Sequence, residues 1–300
     1  MEGKSALREL LRRKELIVAP GVYTALTAKL VEQAGFRAAY MSGYCTSASM
    51  YGLPDTGLVT MTEMLANLRL LAGAVEIPLI GDADTGYGNP INVARTVREY
   101  EKAGAAAIHI EDQVWPKRCG HMKGKEVIAV DEMAGKIRAA VDSRRSDDFV
   151  IIARTDAIAV EGLEAAIGRC HAYAEAGADV VFADGQRTME HVERLPRECA
   201  PVPCMINLGP LTPPLSVPEI RNLGYAIAIF PGVCLAPAVA AIQRALQDLR
   251  EAGNGSLGDG EEALRVFAAF NELLGADAWI ALDRKYRPHP RDATPSADGG

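Results

Sequence analysis

Between positions 111 and 121 the chain reads Glu-Asp-Gln-Val-Trp-Pro-Lys-Arg-Cys-Gly-His: two carboxylates, two cations, a thiol and an imidazole in one turn-rich stretch. A segment this polar cannot be core. Positive charge beside a cysteine favours its thiolate, so Lys117, Arg118 and His121 suit Cys119 to proton transfer or nucleophilic attack. The plainer reading is a basic surface loop with an incidental cysteine, because a free cysteine is more often buried and inert. Two more carboxylates, Asp82 and Asp84, stand in Gly81-Asp82-Ala83-Asp84-Thr85-Gly86-Tyr87-Gly88. Asp82, Asp84 and Glu111, without His or Cys ligands, are the donor type that holds a hard cation through oxygen, Mg²⁺ first and Mn²⁺ as the alternative. A glycine-closed, Asp-rich turn is the competing explanation for the first two. Arg154 offers a planar fork to a substrate carboxylate.

These residues need a scaffold that gathers them, and the sequence supplies a rhythm. Short apolar runs at 16–20, 38–41, 77–80, 106–110, 149–153, 180–182, 202–206 and 225–230 alternate with helical patterns at 25–34, 61–74, 90–103, 131–143, 162–176, 189–194, 218–223 and 236–252. The phrase Ala-Gly followed by Phe or Ala recurs before a strand at Ala34-Gly35, Ala103-Gly104 and Ala176-Gly177. Eight strand-then-helix units predict a (β/α)₈ barrel, a TIM-type α/β fold. An open doubly wound sheet would carry a glycine-rich nucleotide turn after its first strand, and none is present. In such a barrel the strand ends line one pocket. Here they carry Ser42, Gly43, Asp82, Asp84, Glu111, Arg154, Asp184 and Asn207. Any one of them could be a cap or turn residue; as a set they read as a site.

The remaining bounds are set by composition. The chain has 300 residues, 49% of them hydrophobic and 24% charged, with a net charge of −7. That composition is globular, and without a basic stripe it points away from nucleic acid and membrane surfaces and toward a small molecule. Six cysteines without CxxC pairs, and no secretory pattern near Met1, predict a reduced cytoplasmic protein. No apolar run approaches the 18 residues of a membrane span. The barrel is expected over 1–252. A Gly-rich linker and a C-terminal oligomerisation helix, Glu261 to Leu274, occupy 253–284, followed by a disordered tail over 285–300.

The motifs Gly81 to Gly88, His109-Ile110-Glu111-Asp112-Gln113, Lys117-Arg118-Cys119-Gly120-His121 and Ala153-Arg154-Thr155-Asp156-Ala157 resemble those of the isocitrate lyase and phosphoenolpyruvate mutase superfamily. The Lys-Arg-Cys-Gly-His loop is most similar to the methylisocitrate lyase and 2,3-dimethylmalate lyase branch. The resemblance implies a Mg²⁺-dependent barrel acting on small 2-oxo or 2-hydroxy acids, assembled as a homo-oligomer, a tetramer or dimer of dimers with C-terminal helices exchanged between subunits. It assigns Ser42, Gly43, His121 and Arg154, with Asp184 and Asn207, to the substrate. It gives Asp82, Asp84 and Glu111 to the metal, and Cys119, Lys117, Glu111 and Asp55 to catalysis. Three segments depart from the family pattern: Asp184 stands where lyase relatives have Glu, Asn207 runs into Leu208-Gly209-Pro210-Leu211-Thr212-Pro213, and Phe230-Pro231-Gly232-Val233 replaces Tyr-Pro-Leu-Ser.

The expected activity is cleavage of the C2–C3 bond of a 2-hydroxy di- or tricarboxylate to a 2-oxo acid and a second carboxylate. Cys119 serves as the acid on a loop over 114–124 that orders when ligand binds. A carboxyphosphonoenolpyruvate-type phosphonomutase, an oxaloacetate hydrolase and a catalytically silent metabolite-binding barrel are the alternatives.

Overall fold

The computed structural model describes residues 2–120, 122–252 and 260–287, so His121, the expected linker and the expected tail from 288 onward lie outside the described residues. Eight strands, β1 (Ile17–Val22), β2 (Ala39–Met41), β3 (Leu79–Asp82), β4 (Ala107–Glu111), β5 (Val150–Thr155), β6 (Val180–Ala183), β7 (Met205–Asn207) and β8 (Ile227–Phe230), form one parallel sheet. Its order, β6-β5-β4-β3-β2-β1-β8-β7, brings first and last strands together through Ile17↔Ile227 to Pro20↔Phe230. The remaining seam is tied by a parallel bridge, Val181↔Cys204, and by the Val181 N–H donating to Pro203 O at 3.0 Å. The result is the nearly closed (β/α)₈ barrel that the alternation predicted.

The helices are α1 (Glu2–Arg12), α2 (Ala25–Gln33), the single turn α3 (Gly43–Thr46), α4 (Met61–Ala72), α5 (Pro90–Ala103), α6 (Val130–Ser143), α7 (Leu163–Glu175), α8 (Met189–Glu198), α9 (Val217–Asn222), α10 (Leu235–Ala252), α11 (Gly260–Leu273) and α12 (Ala276–Tyr286). Their ends follow local chemistry. Asn89 caps α5 by accepting from the Ile91 and Asn92 N–H groups, with Pro90 in the first turn where no donor is needed. The recurrent Ala-Gly phrase has a backbone cause: Gly35, Gly104 and Gly177 stand at φ +83°, +112° and +104°. This left-handed region, favourable to glycine, stops each helix just ahead of the next strand.

Strand periodicity divides the core. Ile17, Ala19, Ala38, Tyr40, Ile80, Ala107, Val150, Ile152, Val180, Phe182, Met205, Ile227 and Ile229 fill the barrel interior. Their neighbours, such as Ile108, Ile110, Ile151 and Ala153, pack outward under the helices. Because side chains alternate faces, each interior column continues two residues further on toward the carboxyl end of its strand. Tyr40 is followed by Ser42, Ile80 by Asp82, His109 by Glu111, Ile152 by Arg154, Phe182 by Asp184 and Met205 by Asn207. The barrel therefore exchanges an apolar interior for a polar mouth within one step of the pleat.

The chain divides into two units, Met1–Ala240 and Ala241–Gly300. The second holds the rest of α10 with α11 and α12. The sequence reading anticipated α11 but not α12, whose helix continues to Tyr286 into the segment expected to be tail. Among the described residues no helix is long and apolar enough to cross a membrane.

Candidate active site

Asp82 is the node on one side of the mouth. Its Oδ2 accepts from the Gly43 N–H at 3.0 Å and from the Tyr40 hydroxyl at 3.3 Å, and its Oδ1 accepts from the Asp84 N–H at 3.0 Å. A Cβ on Gly43 would lie 2.6 Å from Asp82 Oδ2, so only glycine allows this approach. The expectation that the Ser42-Gly43 backbone waits for a substrate carboxylate meets a finding here: the Gly43 N–H is engaged by Asp82, and Ser42 Oγ accepts from the Cys45 N–H at 3.2 Å, capping α3. Asp84 follows with φ +46°, a left-handed residue that turns the chain and brings a second carboxylate beside the first.

Lys117 enters this group from the loop after β4. Its ammonium lies 2.5 Å from Asp55 Oδ1 and 2.7 Å from Asp84 Oδ1, with all three side chains buried. Burial pushes the Asp84 carboxyl up to about 7, helped by the Asp82 and Asp55 charges and opposed by Lys117. Asp82 goes the other way, to about 2: burial raises it, but His109, Lys117, Arg154 and the Asp84 N–H together outweigh burial. Burial brings His109 down to about 4 against the pull of Asp82, leaving it neutral near pH 7. The imidazole stacks on Tyr40, with centroids 5.7 Å apart, and its Nε2 is 2.9 Å from the Tyr40 hydroxyl.

Arg154 centres the other side. Its Nε and Nη2 donate to Asp156 Oδ2 and Oδ1 at 2.9 and 3.2 Å, and Nη2 also donates to Asp184 Oδ2 at 2.8 Å. Glu111 Oε2 lies 3.2 Å from Nε, and the guanidinium carbon rests 5.3 Å above the Phe182 ring. Burial, together with Asp156 and against Arg154, pushes Glu111 well above the carboxylate range. Asn207 Nδ2 donates to Asp184 Oδ1 at 3.1 Å, which joins the ends of β6 and β7.

The Cys119 loop is held over these groups. An antiparallel bridge, Gln113↔Val127, closes its base, and the Cys119 N–H donates to Asp55 O at 3.0 Å. Gly120 sits so near Asp184 that a Cβ there would lie 2.0 Å from Asp184 Oδ2. Cys119 is half-buried. The charges that flank it in sequence are directed elsewhere: Lys117 to Asp55 and Asp84, and the exposed Arg118 to Lys123 O at 3.0 Å. His121 lies outside the described residues.

The structure thus gathers Ser42, Gly43, Asp55, Asp82, Asp84, Glu111, Lys117, Arg154, Asp184 and Asn207 at one end of the barrel, with Cys119 above Asp55. Sequence reasoning missed Tyr40 and Lys125, and it quoted His109 and Asp156 within motifs without giving either a role. Tyr40 and His109 could have been found by stepping two residues back from Ser42 and Glu111. Asp156 stands two positions beyond Arg154 within a quoted motif, but it follows its strand and turns back on Arg154, a pairing the spacing does not give.

The oxygen donors at Asp82, Asp84 and Glu111 suit a hard divalent cation. Among the described residues no three His, Cys, Asp or Glu side chains close together as a metal-ligand set. The charge distribution still fits one: Glu111 Oε1 is buried without a hydrogen-bond partner, and the Asp55 and Asp84 carboxylates share one ammonium with the Asp82 carboxylate beside Asp84.

A barrel whose mouth is lined by charged and polar groups from six strand ends, with a cysteine loop folded over it, has the architecture of a (β/α)₈ enzyme. The chain matches the family model described as phosphoenolpyruvate phosphomutase over residues 7–250 and belongs to the phosphoenolpyruvate mutase/isocitrate lyase superfamily. It is 44% identical to the 2,3-dimethylmalate lyase of Eubacterium barkeri, covering 95% of this chain and 99% of that one. It is 42% identical to the 2-methylisocitrate lyase of Aeropyrum pernix, covering 90% and 86%. A solved oxaloacetate acetylhydrolase with the inhibitor 3,3-difluorooxalacetate superposes with a TM-score of 0.88 at 41% identity, covering 94% of this chain and 96% of that one. Within the superfamily, the chain is an enzyme of the lyase class.

Proposed function

We propose that the protein cleaves the C2–C3 bond of a small 2-hydroxy di- or tricarboxylate of the dimethylmalate or methylisocitrate type, releasing a 2-oxo acid and a second carboxylate. The observation that carries this reading is the placement of the Cys119 backbone on Asp55, directly over buried carboxylates on one side and a buried guanidinium on the other. Asp82, Asp84 and Glu111 would hold a divalent cation, Mg²⁺ or Mn²⁺, which supplies charge stabilisation for the 2-oxygen and its carboxylate. Arg154 orients a substrate carboxylate through its fork. A carboxylate of the Asp55, Asp82 and Asp84 group takes the 2-hydroxyl proton, the C2–C3 pair passes to C3 as the 2-oxo group forms, and Cys119 delivers a proton to that carbon. The folded loop keeps water from the carbanion.

The likeness to oxaloacetate acetylhydrolase favours one second reading, hydrolysis of a 2-oxo diacid in the same pocket. A panel of 2-hydroxy and 2-oxo diacids incubated with the purified protein and Mg²⁺, with products identified by mass, separates the two. The lyase reading expects a 2-hydroxy diacid to split without uptake of water. Turnover confined to oxaloacetate, with water incorporated, would replace it. We further infer a homo-oligomer in the reducing cytoplasm: Leu264, Phe267 and Phe270 of α11 and Trp279 of α12 are exposed, and no disulfide joins the six cysteines.

A further inference from the structure

We propose that Lys125 is a positioning residue for Cys119, locking the cysteine loop to the arginine side of the pocket; this rests on the reading that the loop covers the catalytic centre. The Lys125 side chain is 1% exposed, and its ammonium donates to Gly120 O at 2.6 Å and to Asp156 Oδ1 at 2.7 Å. Gly120 is the residue after Cys119. Asp156 in turn accepts two hydrogen bonds from Arg154, and its own N–H donates to Asp112 Oδ1 at 3.0 Å. One buried ammonium therefore connects the carbonyl beside the thiol to the carboxylate that holds the substrate-orienting arginine.

The rest of the loop makes this contact decisive. Its base is closed by the Gln113↔Val127 bridge and by Val114 N–H donating to Glu126 O at 2.9 Å, so Lys125 departs from a fixed stem. Of the loop's other tethers, the Gln113 amide holds the Arg118 N–H and C=O back to the stem, while Lys117 on Asp55 and Asp84 and the Cys119 N–H on Asp55 O reach the carboxylate side. On the arginine side Gly120 lies against Asp184 without a side chain of its own. Lys125 supplies the charge-assisted hydrogen bond there, and a buried ammonium without these two acceptors would carry a large desolvation cost. The loop and the Arg154 cluster are thus fixed by the same group.

The test uses the full-length protein and two variants that keep the length of the stem without the charge, Lys125→Met and Lys125→Gln. Loop opening is read as trypsin cleavage after Arg118 and Lys123, and as iodoacetamide labelling of Cys119 with the half-buried Cys234 as the internal reference. Neither measurement needs turnover, so the result stands apart from the lyase reading. The expected result is at least tenfold faster cleavage and Cys119 labelling in both variants, with Cys234 labelling and far-ultraviolet circular dichroism unchanged, and recovery of slow labelling in Lys125→Arg. Wild-type rates in both neutral variants would overturn the proposal. So would equal acceleration at Cys119 and Cys234, or loss of the folded signal in both variants, because either outcome assigns Lys125 to general stability.

Discussion

Two clusters of buried charge face the same barrel mouth, and they are balanced differently. Around Lys117, the Asp55 and Asp84 carboxylates share a single ammonium with Asp82 beside them, and Asp84 is pushed up to about 7 by burial and its like-charged neighbours. Around Arg154, a guanidinium and the Lys125 ammonium meet Asp156 and Asp184, with Glu111 alongside. Burial raises Asp156, but Arg154 and Lys125 outweigh it and hold that carboxyl well below its ordinary range. The lesson is one of division of labour. The first cluster lacks positive charge and is the half that the proposed cation would complete. In the second, Arg154 and Lys125 hold Asp156 and Asp184 as the frame on which substrate and loop are oriented, while Glu111, whose Oε1 is buried without a hydrogen-bond partner, turns that side toward the proposed cation as well.

The largest expected effect comes from breaking the first cluster at its node. Asp82→Ala should reduce Mg²⁺-dependent turnover below detection and abolish Mg²⁺ binding by calorimetry. It also frees the Gly43 and Asp84 N–H groups, so some thermal stability should be lost with it. Full turnover with unchanged Mg²⁺ dependence would remove Asp82 from the metal assignment.

Cys119→Ser follows. Serine is a far weaker acid, and losing a positioned general acid typically slows a reaction by about 10² to 10⁴-fold. Stopped-assay kcat should fall by that order while oxalate, a planar mimic of a 2-oxo acid enolate, still binds. Near-normal turnover on the true substrate would shift the reading to hydrolysis or phosphoryl transfer.

The contrast in balance itself is tested by a pair of variants measured by urea unfolding. Asp156→Ala leaves two buried cations short of a partner and should cost about 3–5 kcal/mol, the range seen when one member of a buried ion pair is removed. Asp84→Asn removes negative charge where there is a surplus and should change stability by less than about 1 kcal/mol, the scale of ordinary single substitutions. Equal costs would refute the distinction between the clusters.

The smallest of the effects on turnover is expected at their junction. Gly120→Ala places a methyl 2.0 Å from Asp184 Oδ2, so the loop must lift. Overpacking of this kind costs about 1–3 kcal/mol, or roughly tenfold to a hundredfold in turnover. An Ala variant with wild-type kcat would show that the loop need not sit as closely as it does here.

Much of this was legible in the chain itself. Eight apolar runs, each with its helical partner, determined the barrel because strand and helix periods are local properties of the sequence. The pleat then determined which polar residues face the mouth: Arg154 lies two positions after Ile152, Asp82 two after Ile80, Asp184 two after Phe182. Even the Ala-Gly repeats had a local cause in left-handed helix stops.

The pairing of charge was not legible. Lys117 and Arg118 stand beside Cys119 in sequence, yet Lys117 reaches Asp55 across 62 positions, and Lys125 reaches Asp156 across 31. Periodicity gives the face a side chain points to, but a hydrogen bond depends on position to within a fraction of an ångström. That position is set only when curvature closes β1 onto β8 and brings distant strand ends together. The sequence therefore determined which groups surround the pocket, while the closed barrel and its folded loop decided which of them are paired and which still lack a counter-charge.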